Sequence, residues 1–189
     1  MLFETMGDAK NPAILFFHAM GVTAKSSEPV AKHLETNYFC IMPTSTAYCR
    51  GQRYLGKDDE IRQIENFLAA HGVKKLELVT ASSLGADLAL AFISKSEIPV
   101  NRVFFDGGQF AAINKPLRML AVPFMYLALK SLYLSDGRLL GKIFWCDDKR
   151  IRPYFVEGGN NITFGNLCGM FSDSLEDKPF PKLSEKMQR

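Results

Sequence analysis

Short apolar runs that alternate with helical patterns constrain this chain more than any other feature. Four of them are bounded by turn residues: Asn11 to Phe17 (NPAILFF), Tyr38 to Met42 (YFCIM), Lys75 to Ala81 (KLELVTA) and Val100 to Phe105 (VNRVFF). The first suits a strand buried on both faces, the second reads as another buried strand, and the last two read as further strands. The stretches between them read as helices. In SSEPVAKHLET, Ser27 is placed to cap, Pro29 falls in the first turn, and Val30 and Leu34 share a face. From about Asp58 to His71, Ile61, Ile64 and Leu68 form an apolar stripe, and Gly72 suits a left-handed C-terminal cap. Leu84 to Lys95 reads as a further helix. This alternation predicts an α/β fold, a mostly parallel sheet with helices on both faces. Ligands of such sheets bind beyond the carboxyl ends of the strands. Three polar, glycine-containing stretches lie there: His18-Ala19-Met20-Gly21, Ala81-Ser82-Ser83-Leu84-Gly85 and Asp106-Gly107-Gly108.

From Lys115 the pattern changes. MLAVPFMYLALKSLYL is amphipathic, EGGNNITFGNLCGMF is broken by Gly and Asn, and SLEDKPFPKLSEKMQR is polar. The chain therefore divides into a core (residues 1–110), a helical cap (111–180) and a polar tail (181–189). With 189 residues, 47% of them hydrophobic, one sizeable core can form and two full domains cannot. A formal net charge of +3, carried by scattered basic residues, argues against nucleic acid as a partner. Cys40, Cys49, Cys146 and Cys168 form no CxxC pair and have no histidines at metal spacing. They read as free thiols in a reducing compartment, and neither a metal nor another cofactor is implied. The N-terminus MLFETMGDAK lacks a signal-peptide apolar core. The longest apolar stretch, Met119 to Leu129, contains Pro123, is flanked by Arg118 and Lys130, and is too short to span a bilayer. A cytoplasmic protein without membrane association is expected.

The stretch LVTASSLGADLALAF places two serines where a strand gives way to a helix. Ser83 either caps that helix or acts as a nucleophile. A serine on a tight strand-to-helix turn needs small residues two before and two after it. Such a turn exposes the hydroxyl and aims the following N–H at a developing oxyanion. Ala81 and Gly85 meet the size demand around Ser83; Ser82 fails it, because its own neighbour two ahead is Leu84.

An apolar strand ending in H-x-x-G, followed by a later strand ending in small-x-Ser-x-Gly, resembles the α/β-hydrolase family over roughly Leu2 to Gln109. The usual HG is His18-Ala19 here, and the first glycine of G-x-S-x-G is Ala81. The resemblance implies Ser83 as nucleophile and the main-chain N–H groups of Met20 and Leu84 as oxyanion donors. It implies His18 as a structural histidine beside the oxyanion loop. It also implies that apolar cap side chains line an acyl or alkyl pocket, for which Met119, Phe124, Met125 and Leu129 are candidates; the alternative is that they pack on the sheet. Relatives with dehalogenase or epoxide-hydrolase chemistry carry Asp at the elbow, so Ser83 points away from them.

In that family the order is Ser, then acid, then His. All three histidines here, His18, His33 and His71, precede Ser83. His33 is expected to face solvent and His71 to complement a helix dipole. Asp106, ending the strand after the elbow, is either an orienting acid or the opening of a turn before Gly107-Gly108. Asp136, Asp147 and Asp148 read as turn or surface residues, and Cys168 as packing. The expectation is a hydrolase shortened before its last two strands, with an apolar sheet edge left open to self-association. The implied function is a serine hydrolase acting on a small ester or acyl substrate through a Ser83 acyl-enzyme. The alternative is an inactive module of the same fold that binds a small apolar ligand or a protein. Nucleotide binding finds no G-x-G-x-x-G or P-loop motif at a strand end.

Overall fold

The computed structural model describes residues 1–108, 115–143 and 149–173. Strand β1 (Leu2–Met6) is followed by β2 (Ala13–Phe17), helix α1 (Glu28–Leu34), β3 (Phe39–Thr44), α2 (Lys57–Ala70), β4 (Leu76–Ser82), α3 (Gly85–Lys95) and β5 (Val103–Asp106). Four helices complete the described chain: α4 (Lys115–Leu134), α5 (Leu140–Ile143), α6 (Arg152–Asn161) and α7 (Phe164–Asp173). The five strands form one sheet in the order β1-β3-β2-β4-β5, parallel except for β1, which runs antiparallel to β3.

Period-two alternation sorts β2 onto two helical layers. Ala13, Leu15 and Phe17 join a core with Ile61, Ile64 and Leu68 of α2 and Ala86, Ala89 and Phe92 of α3. Ile14 and Phe16 face the opposite side, with Ala24 and Ala31 at and within α1. Both faces are covered, so every residue of β2 is buried and its sequence reads as an unbroken apolar run. Each large aliphatic side chain removed from water here stabilises the fold by about 1.5–3 kcal/mol.

Four strands and three helices lie within a few residues of the expected positions. Gly72, with φ +68, closes α2 as a left-handed cap, its N–H bonded to the Ala69 carbonyl. Three details differ. Strand β1 has no clear pattern in LFETM; it exists because its antiparallel register with β3 pairs Leu2 with Thr44 through Met6 with Cys40. Strand β3 runs through Pro43, which lies beyond the last β2 pairing at Leu15–Ile41, where that side of the ladder needs no donor. Ser27 makes no side-chain cap, because it ends a 3₁₀ turn (Ala24–Ser27) and its own backbone is already helical.

The described part of residues 115–173 is helical. Helices α4, α6 and α7 pack on one another and on a 3₁₀ turn at Thr46–Tyr48. Val122, Leu129, Ile162 and Leu167 bury themselves there against Ala47 and Tyr48. The glycine pair in EGGNN, a breaker by local preference, sits inside α6. A Cβ at Gly158 would lie 2.1 Å from the Gly21 carbonyl oxygen, and one at Gly159 would lie 2.3 Å from that of Leu129. Close helix approach, not a turn, explains both glycines. Among the described residues, strand β5 is an edge, with Val103 and Phe104 exposed. No helix among the described residues is long and apolar enough to cross a membrane. Cys146, Asp147, Asp148 and the tail 181–189 lie outside the described residues.

Candidate active site

The strand order places the carboxyl ends of β2 and β4 side by side, with Phe17 paired to Ala81. The chain leaves β2 toward one side of the sheet and β4 toward the other, which opens a crevice between the two ends. Ser83 follows β4 at this point. It is exposed, and its φ of +50 puts a non-glycine residue in the left-handed region. That strain is of order 1–3 kcal/mol and persists only where neighbours enforce it. The enforcing contacts are visible. Ser83 N–H donates to the Asp106 carbonyl at 3.1 Å, and Ala86 N–H donates to the Ser83 carbonyl at 3.0 Å. Ala81 is buried between Phe17 and Phe105. A Cβ at Gly85 would meet the His18 and Phe17 carbonyl oxygens at 2.5 and 2.6 Å. The small residues on either side of Ser83 are therefore steric necessities.

The loop after β2 is held from below. His18 is buried, with Nε2 accepting from Ser45 N–H at 3.1 Å and Nδ1 2.8 Å from the Ala19 carbonyl oxygen. The first bond requires a bare Nε2, so Nδ1 carries the proton and donates. Burial lowers the pKa of His18, which favours this neutral form. Gly21, at φ +84, donates its N–H to Tyr48 Oη at 2.9 Å. Among the described residues, the N–H groups of Met20 and Leu84 make no hydrogen bond, and both residues line one cleft. That cleft also meets Phe17, Pro43, Leu88 and Met170; Ser83, at the apex of its turn, is outside the lining.

The other residues named from sequence fall elsewhere. Met119, Phe124, Met125 and Leu129 do not line this cleft. Leu129 is fully buried in the α4–α7 core, Met119 and Met125 pack against that core, and Phe124 is 75% exposed on the outer face of α4. Among the described residues, the cap side chain that reaches the cleft is Met170 of α7. Asp106 braces the elbow through its main-chain carbonyl, while its side chain is exposed and Gly107 turns the chain at φ +70. His33 is exposed on α1. His71 caps α2 with Nδ1 2.8 Å from the Phe67 carbonyl oxygen. Both ring nitrogens of His18 are engaged, so no histidine of the chain is available as a base to Ser83.

Two residues escaped the sequence reading. Glu60 is fully buried, its Oε1 accepting from Thr46 N–H at 2.8 Å and from the Thr46 hydroxyl. It braces the turn that holds His18 and Gly21. The signal was its phase, one helical turn before Ile64 in the same stripe. Asn166 of α7 accepts from Tyr54 N–H at 3.0 Å and donates to the carbonyls of Ala47 and Gln52, tying the cap to the loop beneath it. Nothing local in NITFGNL marks it.

Burial raises the Glu60 carboxyl above its ordinary value of 4.5, against the Thr46 hydrogen bonds that pull it down. An acid raised in this way contributes its stability in full below the unfolded value and loses it as pH rises through the folded one. Glu60→Gln removes the titration and keeps an acceptor for Thr46. Relative to the parent, the variant is expected to gain stability as pH rises above the ordinary carboxylate value of 4.5. The difference in thermal midpoints between the two proteins measures this, and a difference independent of pH would refute it.

No protein-family model matches the sequence, and no curated protein does. Solved structures are similar. An alpha/beta hydrolase family protein from Desulfitobacterium hafniense matches with a TM-score of 0.72 at 18% identity, over 92% of this chain and 72% of that one. The chain has the α/β-hydrolase fold. A thermophilic esterase from Thermogutta terrifontis matches with a TM-score of 0.67 at 12% identity, over 91% of this chain and 67% of that one. For MenH from S. aureus the values are 0.63 and 11%, over 90% and 70%. In an α/β-hydrolase fold the crevice between β2 and β4 is where a ligand binds, and here it is flanked by the Ser83 turn and the His18–Gly21 loop.

Proposed function

We propose that the chain is a serine hydrolase acting on a small ester or related acyl substrate, with Ser83 as nucleophile. The observation that carries this reading is the left-handed Ser83, exposed at the end of β4, together with the Met20 and Leu84 N–H groups, which make no hydrogen bond among the described residues. Ser83 Oγ would attack the acyl carbon, and the N–H groups of Met20 and Leu84 would stabilise the oxyanion while the alcohol departs. The fold neighbours include an esterase, which is the chemistry this arrangement suits. The proton of Ser83 needs an acceptor, and none of the three histidines fills that role. Ser83 lies outside the lining of the cleft, which favours a second reading, an inactive module of the same fold that keeps the cleft as a binding site.

A fluorophosphonate probe separates the two readings. Fluorophosphonates label a serine whose oxygen is activated as a nucleophile, so labelling distinguishes a working site from a serine that is merely exposed. Labelling of the parent, abolished in Ser83→Ala, is expected. A parent that labels no faster than Ser83→Ala would leave the inactive module standing.

A further inference from the structure

The cleft holds a polar pair that the proposed chemistry does not use. Lys57, the first residue of α2, reaches Asp87 of α3 with Nζ 2.9 Å from Oδ2, and the side chains are only 15% and 14% exposed. A cation at the start of a helix opposes the helix dipole, so local preference does not account for Lys57. An ammonium carries three N–H donors, and among the described residues Asp87 is the one partner of this Nζ. Among the described residues, donors therefore remain in a cleft whose lining includes the apolar Phe17, Pro43, Leu88 and Met170.

We propose that Lys57, held by Asp87, selects a short acyl group bearing a neutral hydroxyl, whose oxygen accepts from Lys57 Nζ. The inference rests on the reading of Ser83 as nucleophile, since it takes the cleft to hold the acyl chain. Charge argues for neutrality. Lys57 and Asp87 cancel, and a second carboxylate stands close by: Asp173 Oδ2 accepts from Lys57 N–H at 2.6 Å and from Tyr54 Oη at 2.8 Å. An anionic ligand would face two carboxylates and a cationic one would offer the Lys57 donors no acceptor; a hydroxyl avoids both. Size argues for a short chain. The cavity volume is about 40 Å³, and one water needs about 10–15 Å³ by this measure, which leaves room for roughly three such groups.

The test uses the full-length Ser83→Ala protein, which binds without turnover, titrated by NMR with methyl 3-hydroxybutyrate and with methyl butyrate. One hydrogen bond worth about 1 kcal/mol corresponds to roughly fivefold, so the hydroxy ester is expected to bind about five times tighter. The largest shifts are expected at Lys57, Asp87 and Leu88. Lys57→Met combined with Asp87→Leu removes both charges of the pair together. It is expected to bind the two esters equally while keeping a dispersed, folded spectrum. Equal affinities in the Ser83→Ala protein, or no saturable binding of either ester, overturn the proposal whether or not the double variant folds. A preference that survives in the folded double variant overturns it as well. Because this readout needs no nucleophile, a parent that fails to label at Ser83 yet prefers the hydroxy ester would discard the enzymatic reading and keep the site.

Discussion

Gly85→Ala is expected to destabilise the protein by about 3 kcal/mol or more and to abolish Ser83 labelling in whatever remains folded. The added methyl would meet the His18 carbonyl oxygen at 2.5 Å, the Phe17 carbonyl oxygen at 2.6 Å and the Phe17 carbonyl carbon at 2.9 Å. All three are main-chain atoms, so no side chain can swing away. Relief must come from separating α3 from the end of β2, which are the two elements that carry Leu84 and the loop to Met20. The strain therefore falls on stability and on oxyanion geometry together. In a chain of this size a loss of that order lowers the thermal midpoint by roughly 6–12 °C. Gly165→Ala is the matched control. Gly165 lies in α7 with nothing within 4 Å of its missing Cβ, and alanine there is expected to stabilise by about 0.4–1 kcal/mol. Equal midpoints for the two variants would refute the steric account of the elbow.

Asn166→Ala is expected to cost about 3 kcal/mol and to loosen the roof of the cleft. One amide side chain satisfies three main-chain groups, the Tyr54 N–H and the carbonyls of Ala47 and Gln52, from a buried position. Truncation leaves all three without a protein partner, and each buried orphan costs about 1–3 kcal/mol, less where water can enter. The consequence reaches the site because α7 also supplies Met170 to the cleft and Asp173 to Tyr54 and Lys57. Hydrogen exchange at the Tyr54 amide is the direct readout and should accelerate by about a hundredfold for a local loss of ~3 kcal/mol. Asn166→Asp keeps the acceptor for Tyr54 and loses both donors, so it should protect that amide better than alanine does. Unchanged exchange in Asn166→Ala would mean that α7 is held by its apolar contacts alone.

The helices, the parallel strands and the elbow were legible in the sequence because each rests on a short-range rule. Apolar runs such as AILFF, the Ile61–Ile64–Leu68 stripe and the cap at Gly72 are set by periodicity and by allowed backbone angles. The small residues around Ser83 answer a steric demand that spans only five positions. What the tertiary structure alone decided lies across long separations. Strand β1 exists through its pairing with β3, and Gly158 sits inside a helix because α6 must approach the Gly21 carbonyl. Glu60 is buried because a turn fourteen residues earlier presents Thr46 to it. The cleft takes Met170 in place of the α4 residues because Asn166 anchors α7 to Tyr54, 112 positions away in the chain. Local rules act on neighbours in sequence, whereas a carboxylate or an amide becomes buried only when distant chain segments bring its hydrogen-bond partners to it.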